Sequence, residues 1–225
     1  MKEWIMASYF ITATGTDIGK THTVAGLIRA GRELKLEFAA IKPVLTGYDT
    51  ESAPNSDPSV LLDAMGRPNN PRNIAIISPW RFTAPLSPNM AAAREGKRIV
   101  LKDIVTFCEA AMAAAPGTLL IEGIGGVAVP LNDEDLVTDW ISALGIPAIL
   151  VGGTYLGTLS HIITAYRLLA AQGIKIAAIV LNESPNAPVP AEETAATLER
   201  FTACPIHIIR RGFDDGSFSR LAAAL

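Results

Sequence analysis

The most constraining feature of the chain lies near its start. Residues 8–13, SYFITA, make a short run rich in aromatic and β-branched side chains. The segment TATGTDIGKT, Thr12 to Thr21, leads from it into a stretch with helical spacing that runs from Lys20 to about Leu34. Gly19-Lys20-Thr21 completes the phosphate-binding pattern G-x-x-x-x-G-K-[ST], with Thr14 where the first glycine would stand. Glycines at 15 and 19 let backbone amides turn inward, and the following helix points its positive end at the same place. In such a turn Lys20 neutralises phosphate charge and the Thr21 hydroxyl binds Mg²⁺. The alternative is a chance Gly-Lys-Thr in an ordinary turn; the strand–loop–helix setting argues against it.

The rest of the chain repeats the rhythm. Strands are expected at Phe38–Val44 (ended by Lys42-Pro43), Ile74–Ile77, Thr118–Glu122, Pro147–Val151, Ile174–Leu181 and Ile206–Ile209. Helices are expected from Pro58 to Met65, and at Ser87–Glu95, Leu101–Ala115, Leu156–Gln172 and Ala191–Phe201. Tyr48–Pro58, rich in Pro, Ser, Asn and Asp, reads as a mobile loop. Strands apolar at nearly every position, such as TLLIE and IKIAAIVL, are buried on both faces, as in a parallel sheet covered by helices. The expected fold is therefore α/β: a doubly wound, mostly parallel sheet with helices on both faces, of the P-loop NTPase type. No internal repeat or low-complexity linker divides the chain, so residues 1–225 are read as a single domain.

Composition narrows the partners. A net charge of −3 offers no basic surface for nucleic acid. No apolar run reaches the roughly 20 residues of a membrane helix. The start, MKEWIMASYF, reads as a tail running into the first strand and not as a signal peptide. Two cysteines without CxxC spacing suit reduced thiols and a cytoplasmic protein. The three histidines, His22, His161 and His207, have no metal-triad spacing.

Ligands of open parallel sheets bind beyond the carboxyl ends of the strands. Three charged residues fall there: Lys42, Asp57 in the polar loop, and Glu122 before Gly123-Ile124-Gly125-Gly126. Thr21, Asp57 and Glu122 are the hard oxygen donors that Mg²⁺ prefers, with phosphate and water completing its shell. Lys42 would place a second cation beside a transferring phosphoryl group. Each has a plainer reading. Asp57 suits a helix cap equally well, Lys42 a solvated strand end, and Glu122 a buried carboxylate with a structural partner.

Several segments together resemble the dethiobiotin synthetase family: TGTDIGKT (14–21), IKPVLTG (41–47), NSD (55–57), FTAPLSP (82–88), IEGIGG (121–126) and LGTLSH (156–161). They occur in the family's order and span about two thirds of the chain. The resemblance implies ATP as co-substrate, Mg²⁺ as cofactor, and 7,8-diaminononanoate with CO₂ (or bicarbonate) as substrates. One amine captures CO₂ as a carbamate, the carbamate attacks the γ-phosphate, and the second amine closes the ureido ring. It further implies catalytic roles for Lys20, Lys42 and Thr16, and Thr46 beside Lys42 at the substrate. The nucleotide would lie on Asp17, Ile18, Gly19, Lys20, Thr21 and His22, on Asp57 and Glu122, and on Gly123, Ile124 and Gly125. Asn182 would meet the adenine edge, with Ile209 and Arg210 near base or ribose. The family is a homodimer, so Tyr155, Leu156, Gly157 and Thr158 would meet the substrate carboxylate from the partner subunit. Tyr155 stands where some members have lysine.

Three rivals remain on the sequence alone, one of them a nucleotide-binding module that has lost activity, against which Lys20, Thr21, Lys42 and Glu122 all standing in place argues. A switch ATPase of the MinD or ParA kind carries an extra lysine five residues before the GKT lysine, where this chain has Gly15. Another ATP-dependent ligase or kinase on the same fold would share the phosphate chemistry and differ in its substrate.

Overall fold

The computed structural model describes residues 8–49, 56–212 and 216–225. Residues 1–7 of the expected tail and 50–55 of the expected Tyr48–Pro58 loop lie outside the described residues. Six parallel strands form the main sheet: β1 (Ser8–Ala13), β2 (Phe38–Ile41), β5 (Thr118–Glu122), β6 (Ala148–Gly153), β7 (Ile176–Asn182) and β8 (Ile206–Ile209). Their order across the sheet is β2-β5-β1-β6-β7-β8. The chain thus fans out to both sides of β1, which opens a crevice at the carboxyl ends around β1. A small second sheet pairs β3 (Val44–Thr46) with β4 (Trp80–Phe82) in parallel.

All six residues of β6 and the last four of β5 are buried, as covering on both faces requires. The cover comes from helices. In α1 (Lys20–Glu33), Val24, Leu27 and Ile28 recur at three- and four-residue spacing and are buried. On α6 (Val137–Leu144), fully buried Trp140 meets Phe10 of β1 edge to face, with centroids 4.7 Å apart. The other helices are α2 (Asp57–Ala64), α3 (Pro71–Ile77), α4 (Pro88–Arg94), α5 (Leu101–Ala114), α7 (Thr158–Ala171), α8 (Ala191–Leu198) and α9 (Ser217–Ala224). Among the described residues, no helix is long and apolar enough to cross a membrane.

Two expectations are corrected. Ile74–Ile77 is not a strand but the end of α3. Asn70 caps that helix by accepting from the Asn73 N–H at 2.9 Å, and Pro71 opens it. Four apolar residues in a row carry no period, so these start signals decide. Phe38–Val44 is not one strand: it breaks at Lys42-Pro43, and β2 joins the main sheet while β3 pairs with β4. Proline has no N–H for a ladder, and the break leaves Lys42 at the mouth of the crevice. β4, α6 and α9 were not foreseen.

Candidate active site

The turn after β1 is built by two left-handed residues, Asp17 (φ 57°) and Gly19 (φ 96°). Gly19 has a second reason to be glycine: a Cβ there would lie 2.3 Å from Asn182 Nδ2. Gly15 has no such need, since an added Cβ meets nothing nearer than Ile18 at 3.8 Å. Thr14, the residue after β1, is still tied to the sheet by its N–H, which donates to Val151 O at 3.0 Å.

Lys20, at the start of α1, is 7% exposed. Its Nζ donates to Gly15 O (3.0 Å) and Gly125 O (2.8 Å), which ties the two glycine turns together. Burial, and then the nearby Lys42 ammonium, push its pKa down to about 8, against the pull of Glu122, Asp57 and Asp17. Glu122 ends β5 with no exposed surface. Its Oε1 accepts from Thr21 Oγ1 (2.7 Å) and from Lys42 Nζ (2.6 Å). Lys42 Nζ also reaches Asp57 Oδ2 at 3.0 Å and Gly123 O at 3.2 Å. Burial alone would lower Lys42, but Glu122 and Asp57 outweigh it and hold its pKa above the usual lysine value. Burial works against Asp57 ionisation too, yet Lys42 and Thr21 bring that carboxyl below its ordinary range.

These side chains converge in a cleft of about 620 Å³ that Thr16, Asp17, Thr46, Ile124 and Gly125 also line. The donors suit a magnesium ion. Thr21, Asp57 and Glu122 meet at one place, and Glu122 Oε2 is buried without a hydrogen-bond partner. That orphaned acceptor is what a hard cation or its bound water would satisfy. Among the described residues no group of three His, Cys, Asp or Glu that could hold a metal ion gathers anywhere.

A second cleft, about 990 Å³, adjoins the first at Asp17 and Gly19. Ile18, His22, Tyr155, Asn182, Ile209 and Arg210 line it. Asn182 is only half available to a base. Its Nδ2 already donates to Ile18 O (2.9 Å), Gly19 O (3.2 Å) and Thr23 Oγ1 (3.3 Å), while Oδ1 has no partner. The amide strut therefore holds the phosphate turn, and only the acceptor remains for an exocyclic amine. Ile209 is buried, and Arg210 pairs with Glu192. His22 stacks edge-on with Phe218 at 5.3 Å.

The structure does not bring Leu156, Gly157 or Thr158 to either cleft of their own chain. Gly157 (φ 96°) caps α7, Thr158 Oγ1 donates to Gly153 O at 2.7 Å, and Leu156 is 86% exposed. Tyr155 Oη is 2.9 Å from His161 Nδ1. Sequence reasoning missed the apolar wall of the first cleft, Leu45, Pro85, Leu86 and Val129. The segment FTAPLSP had flagged part of it without a role. It also missed Arg29, Glu183 and Phe218 in the second cleft, for which spacing carries no signal.

Comparison with known proteins agrees with this geometry. Residues 7–208 match a family described as an AAA domain. The chain is 50% identical over 196 residues to the ATP-dependent dethiobiotin synthetase BioD of Acidiphilium cryptum (strain JF-5), covering 87% of this chain and 88% of that one. To the protein of the same name from Methylobacterium nodulans it is 42% identical over 212 residues, 92% and 94% of the two chains. Among solved structures, the cell division ATPase MinD of Pyrococcus furiosus superposes with a TM-score of 0.56 at 14% identity, covering 98% of each chain, a likeness of fold alone. A phosphate turn, two buried lysines and two acidic side chains at one crevice, together with these identities along most of its length, show that the chain belongs to the ATP-dependent dethiobiotin synthetase family.

Proposed function

We propose that the chain makes dethiobiotin from 7,8-diaminononanoate, CO₂ and ATP, releasing ADP and phosphate. One amine of the diamine takes up CO₂ as a carbamate. A carbamate oxygen attacks the γ-phosphorus and ADP leaves. The second amine then attacks the carbonyl of the mixed anhydride, closes the five-membered ring and expels phosphate. Both reactants are anionic, so cations must bring them together. Lys20 and Lys42 are that pair, and their confinement to one cleft is the observation that carries the reading. Thr16 and Thr46 line the same cleft and offer hydroxyls to the carbamate or amines. Magnesium, held by Thr21, Asp57 and Glu122, would offset charge on the triphosphate.

The nucleoside belongs in the second cleft, with Asn182 Oδ1 toward the adenine amine and Ile209 and Arg210 beside it. Gly123, Ile124 and Gly125, with Asp17, Ile18, Gly19 and His22, frame the phosphates between the clefts. All 225 residues then act as one P-loop domain, working as a homodimer in the cytoplasm. The partner subunit would supply its copy of the Tyr155–Thr158 segment to the substrate carboxylate, through amides at a helix start.

The test is ADP release from MgATP and bicarbonate, with and without 7,8-diaminononanoate, and mass detection of dethiobiotin. Diamine-dependent ADP matched by dethiobiotin supports the proposal. Hydrolysis indifferent to diamine but responsive to vesicles or DNA would replace it with a switch ATPase.

A further inference from the structure

The ammonium of Lys42 sits where a metal's charge would be expected. It lies 2.6 Å from Glu122 Oε1 and 3.0 Å from Asp57 Oδ2. The same Oε1 accepts from Thr21. All three residues suited to magnesium are thus gathered around a lysine. Glu122 is fully buried, and a buried carboxylate needs a compensating positive charge. Lys42 provides it incompletely, since Glu122 Oε2 stays unpartnered. Lys20 is held differently: its hydrogen bonds go to the carbonyls of Gly15 and Gly125. Phosphate can therefore recruit Lys20 without taking it from a carboxylate.

We propose that Lys42 is a placeholder for the metal. In the metal-free protein its ammonium neutralises Asp57 and Glu122 and keeps them gathered. A divalent cation drawn to the same carboxylates, through the free Glu122 Oε2 among them, repels the ammonium a few ångströms away, and does so more strongly in a partly desolvated site. Metal loading then frees Lys42 to turn into the cleft that it already lines, where the phosphoryl group is transferred. The lysine is presented to the reaction only once metal is in place. This inference rests on the metal-site reading given above.

Mn²⁺ binding, followed by electron paramagnetic resonance without nucleotide, tests it in wild type, K42M, E122Q and the double variant. K42M should bind Mn²⁺ roughly tenfold or more tightly than wild type, and adding E122Q should remove the gain. Binding by K42M no tighter than by wild type, with E122Q weakening both, would overturn the placeholder and leave the metal site standing. Affinity indifferent to E122Q in both backgrounds would sink the metal-site reading itself. Where K42M fails to fold, the wild-type protein gives the answer. Labelling of Lys42 by an amine-reactive reagent, read by peptide mass, is compared with ADP alone and with ADP plus Mn²⁺. Labelling should rise severalfold with the metal; an unchanged or lower yield overturns the proposal.

Discussion

At the scale of single residues, the two lysines differ in what surrounds them. Lys42 faces two carboxylates and stays charged, whereas Lys20 is buried against carbonyls and sits near a pKa of about 8. Lys42→Ala should keep ATP binding within a few-fold, because Lys20 and the turn amides remain. Its kcat should fall about 10²- to 10³-fold, the scale for losing one preorganised charge at a developing anion; steady-state kinetics beside ATP titration would show whether the two effects separate. Lys20 makes a pH prediction. Its pKa is lowered, so the ammonium is lost as pH rises through about 8. The free protein's affinity for ADP should decline over that range, and a flat profile up to about pH 10 would show that Lys20 keeps its charge.

Between elements, close packing sets the limits. Gly26 of α1 lies under Phe218 of α9, and a Cβ there would stand 2.3 Å from the ring. Gly26→Ala gains up to about 1 kcal/mol in helix propensity. Overpacking costs about 1–3 kcal/mol, so a net loss of about 1 kcal/mol is expected in denaturant unfolding. Because Phe218 also walls the second cleft, the KM for ATP should rise with it. Cys108 on α5 is fully buried. Burial pushes its thiol from 9.0 up to about 12. The unfolded chain then ionises first, so stability should fall as pH rises from 9.0 toward about 12. Cys108→Ala should flatten that slope, and native protein should resist alkylation at this residue.

For the molecule as a whole, the two clefts meet at the phosphate turn, so the proposed nucleotide would span them and leave the proposed substrate end of the first cleft open. The proposed homodimer would close that end. Leu156 projects 86% exposed at the start of α7. Leu156→Asp should weaken dimerisation about tenfold or more without lowering the stability of the subunit. Sedimentation at several concentrations checks this, and an undisturbed dimer would take Leu156 out of the interface.

The sequence by itself pointed to the parallel sheet, since strands such as TLLIE and AILVGG, apolar at nearly every position, suit burial between two helical layers. It determined the phosphate turn as well, because Gly19-Lys20-Thr21 falls between a strand and a helix. Lys42, Asp57 and Glu122 were readable as candidates from their places at strand ends and in the polar loop. Only the tertiary structure decided that they touch. Glu122 and Lys42 are 80 residues apart in the chain and meet because β5 is inserted between β1 and β2. Strand order depends on crossover packing, which no local pattern encodes. The same reason hid the role of Asn182, whose amide braces a turn 164 residues away. It also hid how α9 docks, since Phe218 packs on α1 where Gly26 leaves room for its ring.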